Sequence, residues 1–401
     1  MQKNTMGLGL VTLLISIWGP PAAWGAAPLK VPLSAPGWEV TGEVEFSSME
    51  GFPQGLLSIK SAAAKVLLKQ AAFGDGTIEY DVKAIGDGIP GLKFHRRDDD
   101  TAEQFYIRPN SDCPASNDCI QYTPQTHGNM LWDAYPQYQS KAPVRDKDWN
   151  HVKLVMSGRR MLVYINDAVA PTLTVGNLEG DVAQGGLQLM GPATFANLTL
   201  APGAVEGLPP EPLADPADRH PGIVRHWLVT PPRPYAAGGA APGPAADPGL
   251  TWKKLDAEHG GLLNLSREYG RPLNKATAVV HLKTVVEAET AQDKQVALGW
   301  ARDVWVYLNG KLVFSDQNHY YPEAERRFPD GRLALDNGAF RLPLKQGRNE
   351  IEIVVGNVFR DKGSAYGWGA MMRLDDVRAV RLAGEPEIAR LDAALREPGR
   401  P

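Results

Sequence analysis

The chain has 401 residues, too many for one ordinary core, which implies two domains plus linkers. Hydrophobic residues make up 43%, enough for real cores, and 41 glycines with 33 prolines point to many turns and little helix. A formal charge of −4 without a basic stripe excludes nucleic acid as a partner.

Residues 1–25 have the form of a signal peptide. Lys3 supplies the positive end, Met6 to Trp18 the apolar stretch, and Ala23-Trp24-Gly25 the cleavage site. The apolar run is about thirteen residues, short of the roughly 20 that span a bilayer, so no stable membrane insertion is expected. The expected product starts at Ala26 and is periplasmic or secreted. Two cysteines are present, Cys113 and Cys119. In an oxidising compartment they are expected to form a small disulfide loop.

Residues 26–200 read as the first domain. Trp38 to Phe46 and Leu56 to Lys60 suit strands. Val66-Leu67-Leu68 suits a buried strand or a helical turn equally well. From Gly74-Asp75-Gly76 onward the pattern sharpens. Ile78 to Val82, Gly91 to His95, Glu103 to Arg108 and Ile120 to Thr123 are short strands, the first with apolar residues at every second place. Residues 124–148 form a long segment of Pro, Gly, Asp and aromatics. His151 to Met156, a Ser157-Gly158 turn and Met161 to Ile165 form a hairpin. Gly186 to Met190 and Thr194 to Leu200 close the unit.

Residues 201–221 read as a linker. Residues 222–384 form a second strand-rich unit beginning with Gly222 to Val229. Asn309-Gly310 is a hairpin signal, because both central residues of such a turn need a positive φ. Ile388, Leu391 and Leu395 give 385–401 the spacing of a short helix or a tail. The resulting fold class is all-β, two sandwich or jelly-roll units.

These residues resemble known families. Gly74 to Glu79, Phe105-Tyr106-Ile107-Arg108-Pro109, Gln121-Tyr122-Thr123-Pro124 and the Trp149 to Ile165 hairpin are similar to concanavalin-like, laminin-G-like modules related to 3-keto-disaccharide hydrolase domains. Asp303 to Lys311 and Leu342 to Glu350 resemble a galactose-binding-like jelly roll. The resemblance implies a saccharide ligand, and the folds equally host hydrolysis, adhesion and scaffolding.

A saccharide site needs an aromatic platform and polar groups for the hydroxyls. Tyr106, Arg108, Gln121, Tyr122, Trp132 and Tyr135 supply that mixture. Parity puts Gln104, Tyr106 and Arg108 on one face, read as wet and concave, and Glu103, Phe105 and Ile107 on the other. The plainer reading of the same residues is an arginine pair and aromatics that pack the sheet. If the protein is an enzyme, Glu103 and Asp133 are the candidate carboxyl pair for glycoside cleavage. Asp303, Asp316, Asn318 and Arg327 form a secondary candidate, or else an interface between the domains. Asp98, Asp99 and Asp100 offer oxygens to a calcium ion, or simply form a solvated turn; no other cofactor is expected. Three readings follow: an exported carbohydrate-binding or scaffolding protein, a glycoside hydrolase-like enzyme, and a structural module with a protein partner.

Overall fold

A computed structural model describes residues 27–396, apart from 237–239, 246, 248, 271–276, 321–326, 328, 330 and 358–366. Residues 1–25, expected to be a signal segment, lie outside the described residues. The chain is all-β and forms two sandwich modules in tandem.

The first module packs two eight-stranded sheets face to face. Gly76–Ala84 is central to one sheet, antiparallel to Asn150–Ser157 on one side and to Ala193–Pro202 on the other. Its alternation is the cause: Ile78, Tyr80 and Val82 enter the core together. In the other sheet Gly91–Arg96 lies between Ala102–Ile107 and Gly186–Met190, and Ile120–Thr126 follows Ala102–Ile107 outward. Lys65–Leu68 is a strand of this sheet, which settles the ambiguous run at residues 66–68. Its Val66 is fully buried in the core.

The second module sets an eight-stranded sheet against a four-stranded one. Ala278–Ala288 and Gly347–Gly356 run antiparallel through the larger sheet, and Gln292–Trp300 runs through the smaller. Trp227 and Trp300 fill the space between them. The Asn309-Gly310 turn has φ of +49° and +79°, as its sequence requires. The strand expected from Gly222 is shorter and spans His226–Val229, with Ile223 making only an isolated bridge to Arg373. Glu385–Arg396 is a helix whose Ile388 and Leu391 pack on Leu228 and Trp252. Among the described residues no helix is long and apolar enough to cross a membrane.

The modules share more than a linker. Leu262, Ala301 and Leu333 of the second module are continuous with the apolar core of the first. Beside them Asp133, fully buried, meets Arg302 at 3.3 Å. Asp133 Oδ1 also accepts from the Gly367 amide at 2.7 Å, and its carbonyl accepts from Leu333 N at 2.8 Å. Burial still pushes the carboxyl of Asp133 above the usual range, so the charge of Arg302 offsets the loss of water only in part. Removing one partner of a buried pair leaves the other charge stranded. Asp133→Ala is therefore expected to lower unfolding free energy by about 3–5 kcal/mol in a denaturant titration. Asp133→Asn, which keeps an acceptor for Gly367, is expected to lose less. A loss below about 1 kcal/mol in the alanine variant would show that the pair does not hold the modules together.

Candidate functional site between the sandwiches

The site starts from one strand. In Ala102–Ile107, Phe105 and Ile107 point between the two sheets of the first module. Gln104 and Tyr106 therefore point to the outer face, opposite Thr123 and Gln121 of the neighbouring strand. Gly91 lies across from Tyr106 on the other side. A Cβ at Gly91 would come within 2.7 Å of Tyr106 Cβ and 2.3 Å of the Phe105 carbonyl, so only glycine lets the strands and the tyrosine approach this closely.

The outer face is not open to water, as its polar residues suggest. Gln104 is buried and donates to Gln125, and Tyr106 is 4% exposed, facing Trp132 of the segment after Ile120–Thr126 and Tyr320 and Arg332 of the second module. Between sheet and cover remains a cavity of about 700 Å³. Tyr106, Arg108 and Trp132 line it from the first module, and Tyr320 and Arg332 from the second. Asp87, Lys93, Asp118 and Gln188 add polar groups, and Met130 and Met190 add apolar ones.

A hydrogen-bonded network fixes its floor. Tyr106 donates to Gln121 Oε1 at 2.8 Å. Arg108 donates to the same oxygen at 2.5 Å, to Tyr106 Oη at 3.1 Å and to the Asp118 carbonyl at 2.8 Å. Gln121 Nε2 donates to the Trp132 carbonyl at 2.7 Å, tying the covering segment to the sheet. The guanidinium of Arg108 lies 4.9 Å from the Tyr106 ring centre. The roof is aromatic: Trp132 meets Tyr320 edge-on at 5.1 Å and carries Arg332 at 5.2 Å, while Arg332 also reaches Asp118 at 3.3 Å. The Cys113–Cys119 disulfide closes the loop that holds Asp118.

The structure thus brings Tyr106, Arg108 and Trp132 to one cavity with Gln121 beneath them. Other candidates fall elsewhere. Glu103 is 1% exposed and faces the inter-sheet core, where it accepts from Tyr122 and sits 3.2 Å from His95. Asp133 is committed to Arg302 and Gly367. The proposed carboxyl pair is corrected accordingly: one member lies between the sheets, the other between the modules. Tyr122 is likewise core, its phenol accepting from Glu179 N at 2.6 Å. Burial first, and the carboxylates of Glu103 and Glu179 next, push that phenol far above the ordinary range. Tyr135 does not join the first cavity but lines a second, of about 560 Å³, and donates to Glu258 at 3.0 Å.

The secondary group serves as an anchor. Asp303 binds His319 Nε2 at 3.0 Å, Asp316 pairs with Arg327, and Asn318 donates to the carbonyls of Trp300 and Arg332. Together these contacts hold the stretch that presents Tyr320 and Arg332. The acidic triplet forms a turn: Asp98 Oδ1 accepts from the amides of Asp100 and Thr101, and Asp99 pairs with Lys65 and Arg96. Among the described residues no group of three or more His, Cys, Asp or Glu is placed to hold a metal ion.

Lys93 and Arg332 were not singled out from sequence. Lys93 carried a signal, since Leu92 and Phe94 are apolar and enter the core, which turns Lys93 outward beside Gln104. Arg332 carried none, because its place depends on the docking of the two modules.

No protein-family model matches the sequence, and no curated protein matches it. Solved structures with a similar partial fold include the carbohydrate binding module CBM66 of Bacillus subtilis, at 17% identity over 41% of this chain and 91% of that one, TM-score 0.29. A Bacillus subtilis protein of unknown function with a galectin-like fold is similar at 17% identity over 44% and 96%, TM-score 0.33. Domain 4 of an extracellular arabinanase from Geobacillus stearothermophilus, solved with arabinotriose, is similar at 8% identity over 45% and 82%, TM-score 0.28. A likeness of this degree carries no function across.

A titratable contact also crosses between the modules. Glu179 lies 3.5 Å from His259, an ion-pair distance, at the edge of the second cavity. Glu179 and Asp215 together hold the imidazole pKa above its ordinary value. A base raised in the folded state contributes stability that is complete below its unfolded pKa, about 6.5, and is lost as pH rises through the folded value. The stability difference between wild type and His259→Gln is therefore expected to be largest near pH 6 and to shrink above neutrality. Denaturant titrations across that range check it, and a difference that does not vary with pH would contradict the pairing.

Proposed function

We propose that the protein is exported and binds saccharides in the cavity between its two sandwiches, with residues 26–200 and 222–384 as its two domains. One observation carries this reading. Three aromatic side chains, Tyr106, Trp132 and Tyr320, converge with Arg108, Lys93, Asp87 and Gln188 on a single space of about 700 Å³. A sugar ring stacks its apolar face on an aromatic and satisfies its hydroxyls with such polar groups. The volume falls within the range of about 300–1,000 Å³ common for small-ligand sites. The Cys113–Cys119 disulfide fits an oxidising compartment.

The first module is read as concanavalin-like and the second as galactose-binding-like, and their resemblances to saccharide-active modules favour the same ligand class. Cleavage is the weaker reading, since Glu103 and Asp133 are sealed in separate interior contacts. A glycan array followed by calorimetry on any ligand found, with product analysis, tests the proposal. Trp132→Ala and Arg108→Gln are each expected to weaken binding at least tenfold, about 1.4 kcal/mol. Unchanged affinity in both variants, with folding intact by circular dichroism, would remove the site assignment. Turnover of the bound glycan would replace binding with catalysis.

A further inference from the structure

The charges around the cavity are unevenly compensated. Lys93, Arg108 and Arg332 line it, against Asp87 and Asp118. Asp118 is engaged with Arg332, and Asp87 stands exposed at the rim. The other two cations are half-buried, and both bond to neutral groups. Lys93 Nζ donates to the Gln125 side-chain oxygen at 2.7 Å. Arg108 donates to the Gln121 amide, the Tyr106 phenol and the Asp118 main-chain carbonyl. Among the described residues neither has a carboxylate within ion-pair distance.

Buried cations elsewhere in the chain are treated differently. Lys283 lies between Glu350 and Glu352, at 2.9 and 3.1 Å, and Lys294 lies against Asp376 at 2.5 Å. Removing a cation from water without an anion is costly, and the cost at Lys93 is visible. Burial first, and the nearby charges of Arg96 and Lys65, bring its ammonium down to about 8 against the smaller opposing pull of Asp99, which stands beyond ion-pair distance. Two such groups at the floor of one cavity form a site whose missing component is negative charge.

We propose that the cavity selects an acidic saccharide, whose carboxylate or sulfate ester is met by Lys93 and Arg108 while its ring lies against the aromatic wall. The proposal rests on the saccharide reading and adds the charge of the ligand to it. Both oxoanions share the required chemistry: planar or tetrahedral oxygens that a guanidinium and an ammonium can meet together.

The test is a glycan array carrying uronate, sulfated and neutral glycans, followed by calorimetry with trigalacturonate, its neutral methyl ester and a sulfated carrageenan oligosaccharide. Uronate or sulfated glycans are expected to bind at least tenfold more tightly than their neutral counterparts, and the arm that binds identifies the anion. Lys93→Gln and Arg108→Gln are expected to remove that preference. Affinity for the acidic ligand is expected to fall as pH rises through about 8, where Lys93 loses its proton. Lys93→Arg, charged throughout that range, should keep the preference and lose the pH dependence. Binding of neutral glycans alone, or of ester and acid equally, would overturn the charge assignment and leave the saccharide reading intact. Absence of binding to every class on the array would overturn both.

Discussion

Asp133 and Arg302 form the contact on which the site depends. They lie 169 residues apart, one in the segment that covers the first sandwich and the other at the start of a strand in the second. Both are sealed from water, and the amide of Gly367 and the amide of Leu333 converge on the same aspartate. Such a pair adds little net stability compared with apolar packing, but it is directional. It fixes the covering segment at a point next to Trp132. Trp132 then stands edge-on to Tyr320, and Arg332 lies over it. A slip at Asp133 would move one wall of the cavity relative to the other.

The second constraint is the pleat of Ala102–Ile107. One strand serves two chemistries, because alternate residues leave it on opposite sides. On the inner side Glu103 joins Tyr122, and Tyr122 joins Glu179, in a chain of buried polar contacts that ends at the second module through His259. On the outer side Tyr106 and Arg108 share the Gln121 amide and form the cavity floor. Along the inner chain Glu103, Tyr122 and Glu179 each have a hydrogen-bonded partner inside the protein, which suits a structural role. The outer network leaves its cations with only neutral acceptors among the described residues, which suits a role that a ligand completes.

Much of this was legible from the chain alone, and the limits are physical. The period of two in Ile78 to Val82, and again in the hairpin after Trp149, specified strands, sheets and the direction of each side chain. The same parity already separated Tyr106 from Glu103, and applied strictly it would have removed Glu103 from any open site and added Lys93. Parity gives a face but not what covers that face. Parity turns Tyr122 inward opposite Phe105, but Tyr135 fits the composition of a sugar site as well as Trp132 does, and only the packing of residues 129–149 separates the one that lines the main cavity from the one that does not. The pairing of Asp133 with Arg302, and the arrival of Arg332, depend on how two modules dock. No local pattern encodes a contact across 169 residues.

That dependence gives the tandem arrangement its meaning. The first sandwich alone would present Tyr106 and Arg108 on a sheet face without the aromatic and cationic wall supplied by Tyr320 and Arg332. The second sandwich alone would have that wall and no floor. Neither module holds a complete site, and the apolar residues that bridge their cores, Leu262, Ala301 and Leu333, keep the two halves in one register. The anchoring set of Asp303, Asp316, Asn318 and Arg327 then serves the site at one remove, since it holds the backbone on which Tyr320 and Arg332 are mounted. Charge used in this way is unavailable for proton transfer. Asp133 between the modules and Asp303 within the second thus act on the cavity through the walls they position.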